Sequence, residues 1–150
     1  MNRKLSERAR SIKSFISALE IIKAEIVFRA LTLPDIMEII CRECRGASGN
    51  YFLRVKKTMD EEKRSFWVSA GQWMPSLKAY GLTEADTRHI SSALYCLGRY
   101  DSAAQAETIS TSIAGLNREL EEAARDMREK GKIYRAMGMT VGIMLALIAI

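Results

Sequence analysis

From Ile109 two apolar series, each spaced by seven, interleave along one helical stripe, and this pattern constrains the chain more than any other. Ile109, Leu116 and Ala123 form the first series; Ile113, Leu120, Met127 and Tyr134 form the second. The alternation of three- and four-residue steps is a heptad seam, which requires a partner helix along its length. Charged residues from Arg118 to Lys132 fill the other positions and keep the opposite face in water. Beyond Arg135 no charge recurs, and residues 136–150 are apolar on every side except at Thr140.

A helix apolar all round is surrounded by protein or by lipid. Residues 136–150 extend only about 22 Å as a helix, short of a hydrocarbon core of roughly 30 Å. Adding Ile133, Tyr134 and a snorkelling Arg135 gives about eighteen residues, inside the spanning range of roughly 17 to 25. A buried terminal helix of a soluble fold is the competing reading. The basic residues Arg128, Lys130, Lys132 and Arg135, together with Arg125, outnumber Asp126 and Glu129 and mark a cytoplasmic membrane flank. The expectation is a cytoplasmic helical bundle over 1–135 and a C-terminal membrane helix over 136–150. Gly138, Gly142 and Ala146 recur every four residues, a stripe that suits close helix packing in lipid and equally ordinary small-residue filling.

With 150 residues the chain suffices for one domain with a real core. Two prolines and an excess of helix-forming residues predict an all-α fold. The net charge of +5 concentrates in Arg3, Lys4, Arg8, Arg10 and Lys13 and in the cluster before the apolar tail, the two places where an anionic membrane surface would attract it. Charge alone would also suit nucleic acid, as a basic DNA-binding helical module, but no zinc finger, aromatic-basic motif or glycine-rich turn supports that partner. Met1 is followed at once by polar residues, so no cleavable signal is read.

Along the chain, Ile12, Phe15, Ile16, Leu19, Ile22, Ile26 and Val27 line one broad face of a helix over about 5–30, a natural partner for the heptad seam. Thr32-Leu-Pro-Asp35 restarts a second helix that runs to about Cys44, and Arg45-Gly-Ala-Ser-Gly-Asn50 reads as a break. A third helix covers Tyr51 to about Asp60; a fourth carries Phe66, Trp67, Ala70 and Met74 and ends or kinks at Pro75. Gly81 closes that unit, Thr83 caps a fifth helix with Ile90, Ala93, Leu94 and Leu97, Gly98 stops it, and Asp101 caps the last. The expected architecture is a six-helix antiparallel bundle whose long C-terminal helix runs into a membrane segment.

Cys41-Arg-Glu-Cys44 has the spacing of half a zinc or redox site, and Cys96 and His89 are the remaining candidate ligands. They converge only if the second and fifth helices cross there, the premise of a thiol or zinc-based helical regulator. Reduced core thiols are the simpler reading. His89 sits in no motif, and the acids Asp60, Glu61, Glu62, Glu119, Glu121 and Glu122 read as solvated helix faces. Trp67 and Trp73 are six apart and point in different directions, so at least one belongs to core or interface. No phosphate loop, serine elbow or histidine pair is present, so no catalytic residue, cofactor or metal is expected.

Several stretches in order resemble one family, the stage III sporulation protein AB of endospore-forming bacteria. They are 16–26, Leu33-Pro-Asp-Ile-Met-Glu-Ile-Ile40, Leu82-Thr-Glu-Ala-Asp86, Leu97-Gly-Arg-Tyr-Asp101 with Gln105, and Gly131-Lys-Ile-Tyr-Arg-Ala-Met-Gly138; either Trp67 or Trp73 matches the family's tryptophan. The resemblance implies a helical cytoplasmic domain similar to that of the inner-membrane platform protein of type II secretion. It also implies a place in the cell membrane on the mother-cell side of the forespore, beside a secretion-type ATPase and other sporulation proteins, with no cofactor. The family starts with a membrane helix, whereas this chain opens with Met1-Asn-Arg-Lys about where that helix ends. The expectation is a truncated start or a member anchored only at its C-terminus. A homo-oligomer is compatible with all of this.

Overall fold

The N-terminal helix is the partner that the heptad seam requires. The computed structural model describes the backbone from Asn2 to Ala149 and the side chains of Arg3 and residues 5–129, and all regular structure there is helical. Six α-helices follow one another: α1 Asn2–Ala24, α2 Leu33–Glu43, α3 Gly46–Glu62, α4 Phe66–Trp73, α5 Glu84–Tyr95 and α6 Ser102–Ala149. α6 is the axis. α1 and α5 pack along its first half, and both run antiparallel to it: Arg8 meets Glu119, whereas Val27 shares a groove with Ser110. The first seam series, Ile109, Leu116 and Ala123, is fully buried, and Ile113 and Leu120 of the second are half-buried.

The core centres on three aromatic rings. Phe15 of α1 lies 5.8 Å from Tyr51 and 6.2 Å from Phe52 of α3, centroid to centroid, and the two α3 rings stand edge to face at 5.2 Å. All three are at most 1% exposed. Burying a ring of this size stabilises by about 1.5–3 kcal/mol, so the trio clamps α3 to α1. The Tyr51 hydroxyl, too deep for water, donates to the Ala70 carbonyl at 2.7 Å and brings in α4. Desolvation raises the Tyr51 pKa.

Local signals set most boundaries. Thr32 is the N-cap of α2 with Pro34 in its first turn. Thr83 and Asp86 form a reciprocal capping box on α5. Asp101 accepts from the Ala104 N–H at 2.8 Å and starts α6. At Pro75 the α4 axis passes into a 3-10 helix, Met74–Tyr80, which Gly81 ends with a left-handed φ of 82°.

Two expectations fail. Residues 45–50, read as a break, are mostly the first turns of α3, which begins at Gly46 directly after Cys44 and Arg45. Small residues are there for packing. A Cβ on Gly49 would overlap the Cys44 carbonyl, and the Ser14 hydroxyl of α1 accepts from the Ser48 N–H at 3.1 Å and meets its hydroxyl at 2.6 Å. The first helix is also not uniform to residue 30. Its α-helical part ends at Ala24, a π-helical turn spans Glu25–Arg29, and Ala30 closes it in the left-handed region at φ 49°; Val27, expected on the buried face, lies at the edge of that stripe and is exposed.

Among the described residues no helix is long and apolar enough to cross a membrane. That statement does not reach 136–150, whose side chains lie outside the described residues although the α6 backbone continues to Ala149.

Candidate functional site

Of the residues expected to flank or pack in a membrane, Arg128 is described and exposed on α6. Lys130, Lys132, Arg135, Gly138, Gly142 and Ala146 lie outside the described side chains.

The candidate thiol or zinc residues do not come together. Cys41 and Cys44 are half-buried on α2 and at its C-cap, while Cys96 is buried at the end of α5 and donates to the Ala93 carbonyl at 3.0 Å. Among the described residues no group of three or more metal-binding side chains forms. Burial raises the pKa of all three thiols, which disfavours the thiolate that redox or metal chemistry needs. His89 stands apart from them, its Nε2 3.6 Å from Glu119 on α6, in the gap that Gly115 leaves open.

A buried charge cluster joins the three axial helices instead. Arg8 of α1 forks onto Asp86 of α5, with Nε 2.8 Å from Oδ2 and Nη2 3.0 Å from Oδ1, and reaches Glu119 of α6 at 3.2 Å. Arg8 is 8% exposed and Asp86 not at all. The hydrogen bond to Asp86 is the main cause that raises the Arg8 pKa, against the opposing effect of burial. Asp86 has a second task, accepting from the Thr83 N–H at 2.9 Å as the return half of the capping box. Arg8 is therefore not part of a basic surface, and Glu119 is not on a solvated face. The clue was positional. Arg8 falls on the apolar stripe of Ile12, Phe15 and Leu19, and Asp86 on that of Ile90, Ala93 and Leu97. A charge on a stripe that must be buried needs a partner.

The opposite end of the bundle, away from the direction in which α6 leaves, is held by the connection between α5 and α6. Gly98, at φ 76°, donates from its N–H to Gln105 Oε1 at 3.2 Å, and Gln105 Nε2 donates back to the Tyr100 carbonyl. From the other side Trp67 Nε1 donates to the Leu97 carbonyl at 3.1 Å. Trp73 plays a matching role further down, donating to Thr58 at 2.7 Å, so both tryptophans are structural. The fastened loop carries Arg99, whose guanidinium lies 4.0 Å from the Tyr95 ring and 4.9 Å from the Trp67 ring.

Two open grooves flank α6 near this end. One, of about 800 Å3, runs between α5 and α6 past Arg88, Tyr95 and Tyr100. The other, of about 550 Å3, lies between the end of α1 and α6. Tyr95 and Tyr100 are more than half exposed, and Phe28 on the rim of the second groove is 84% exposed. Exposed aromatic rings at helix ends and on the α5–α6 connection are contact chemistry rather than bond-making chemistry.

The model of the stage III sporulation protein AB family matches residues 1–150. A solved structure of a stage III sporulation protein AB superposes with a TM-score of 0.66 at 21% identity, covering 81% of this chain and 97% of that one, a likeness of fold. Comparison with curated proteins gives no significant match.

Proposed function

Because the chain belongs to the stage III sporulation protein AB family, we propose that it is a non-enzymatic, membrane-anchored platform of a sporulation secretion-like complex. Its bundle docks a cytoplasmic secretion-type ATPase on the mother-cell side of the forespore. The observation that carries this reading is α6, one unbroken helix of 48 residues from Ser102 to Ala149. Its first half is locked to α1 and α5 through the buried seam and the Arg8 cluster, and its last residues carry no charge. A helix of that length spans about 72 Å, against about 35 Å for α1, so it can hold the bundle at one end and lipid at the other. The bundle then offers its far end, with Arg99, Tyr95, Tyr100 and Phe28, to proteins in the cytoplasm.

Fractionation of the full chain and of a version ending at Arg135 tests the anchor. The full chain should sediment with membranes and resist carbonate extraction, and the shortened one should not. Recovery of both in the soluble fraction sinks the reading, as does failure of the membrane-bound chain to retain the ATPase.

A further inference from the structure

The groove between α1 and α6 carries a knob on its own rim. Val27 and Phe28 are 49% and 84% exposed although both line the groove, whose other apolar surface is Ala24, Ile113 and Ala114. Both residues fall off the buried stripe within the π-helical turn Glu25–Arg29: Phe28, two positions past the buried Ile26, lies about 200° around the helix from it, and Ala30 ends the turn. Ile113 belongs to the second series of the heptad seam, which α1 covers only in part. The patch therefore holds both a projecting ring and an unfilled apolar hollow.

We propose that this patch joins two copies of the chain, with Phe28 of each seated in the α1–α6 groove of the other. Three observations select a second copy as the occupant. Knob and hollow share one surface, which is the condition for an isologous two-fold contact. The rim charges Glu20 and Lys23 cancel, so two chains of net charge +5 meet at a neutral face. Finally, Phe28 and the groove lie at one level along α6, so a two-fold axis parallel to α6 sets each knob opposite a hollow with both C-terminal segments pointing the same way. That third point rests on the platform reading, which puts both tails in one membrane.

The test uses the full chain in detergent, with self-association followed by analytical ultracentrifugation. Phe28→Ala removes the knob at an exposed position and leaves the fold intact; Ala114→Trp fills the hollow. Each variant alone should weaken the dimer by about tenfold or more. An equimolar mixture of the two should recover association to within about threefold of wild type, because one chain supplies the knob and the other the hollow, while the shortened side chain leaves room for the tryptophan. A monomeric wild-type chain, or a dimer indifferent to Phe28→Ala, overturns the proposal. So does a monomeric chain whose Phe28→Ala variant loses the ATPase, which would give the groove to another protein. Loss of membrane attachment in the fractionation experiment removes the platform reading and the choice of axis, and leaves the knob-and-hollow contact to be judged by the mixture.

Discussion

Replacing Asp86 with alanine should destabilise the bundle by roughly 4 kcal/mol. Arg8 sits at 8% exposure with Asp86 fully buried beside it, so the substitution strands a guanidinium whose one remaining acid is Glu119 at 3.2 Å. Breaking a buried pair from one side costs about 3–5 kcal/mol. The contact with Glu119 holds the cost near the lower bound, about 3 kcal/mol, and loss of the return bond to the Thr83 N–H adds about 1 kcal/mol. Arg8→Met leaves Asp86 buried with that one bond and should cost about 3 kcal/mol. Removing both charges, as Arg8→Met with Asp86→Ala, eliminates the stranded partner and should cost no more than about 4 kcal/mol, the lost cap and the vacated space included. The two single costs would sum to about 7 kcal/mol, so the double-mutant cycle should return a coupling of at least about 3 kcal/mol. Urea unfolding followed by circular dichroism measures all four corners. Additivity within about 0.5 kcal/mol would refute the claim that these residues act as one buried unit.

Three glycines should respond with different signs. Gly49→Ala drives a methyl into the Cys44 carbonyl and should cost about 1–3 kcal/mol; Gly115→Ala meets only the half-exposed His89 ring and should cost less; Gly71→Ala opens into free space on α4 and should stabilise by up to about 1 kcal/mol, all read by thermal melts. The raised Tyr51 pKa keeps its contribution to stability complete below the unfolded value of about 10, and lets it be lost as pH rises beyond that, because only the unfolded chain then ionises. Wild type should lose up to about 1.4 kcal/mol more per pH unit above 10 than Tyr51→Phe, and parallel pH profiles would contradict the burial. Burial of Cys41, Cys44 and Cys96 should make alkylation by iodoacetamide at pH 7.5 at least about tenfold slower in the native chain than in urea, counted by mass spectrometry, and equal rates would deny the raised pKa values.

What could be read in advance was whatever depends on neighbours in the chain. Pro34 after Thr32, Thr83 and Asp101 act within one turn, and the helix starts they imply match those observed, whereas α5 already ends at Tyr95, before the stop read at Gly98. The seam of α6 and the stripe of α1 are periodic, so their pairing was also legible. Gly46 to Asn50 have the composition of a loop and become helix because Ser14 and the Cys44 carbonyl, one of them far away in sequence, receive them. Arg8 and Asp86 stood visibly on apolar stripes, yet nothing local could say that they would find each other across 78 positions. The π-helical turn has no compositional mark at all, whereas the exposure of Phe28 follows from its place two positions past Ile26, on the far side of the helix from the buried stripe.

Antiparallel pairing of α1 with α6 also decides how the domain bears force. A tug transmitted along α6 from its C-terminal end slides the helix lengthwise past α1, so Ile109, Leu116, Ala123 and the Arg8 anchor all resist together instead of parting one after another like a zip. The loop at Gly98, lying at the far end, comes under tension only after that shared resistance has given way. Strain applied at one extremity would thus leave the aromatic faces at the other undisturbed.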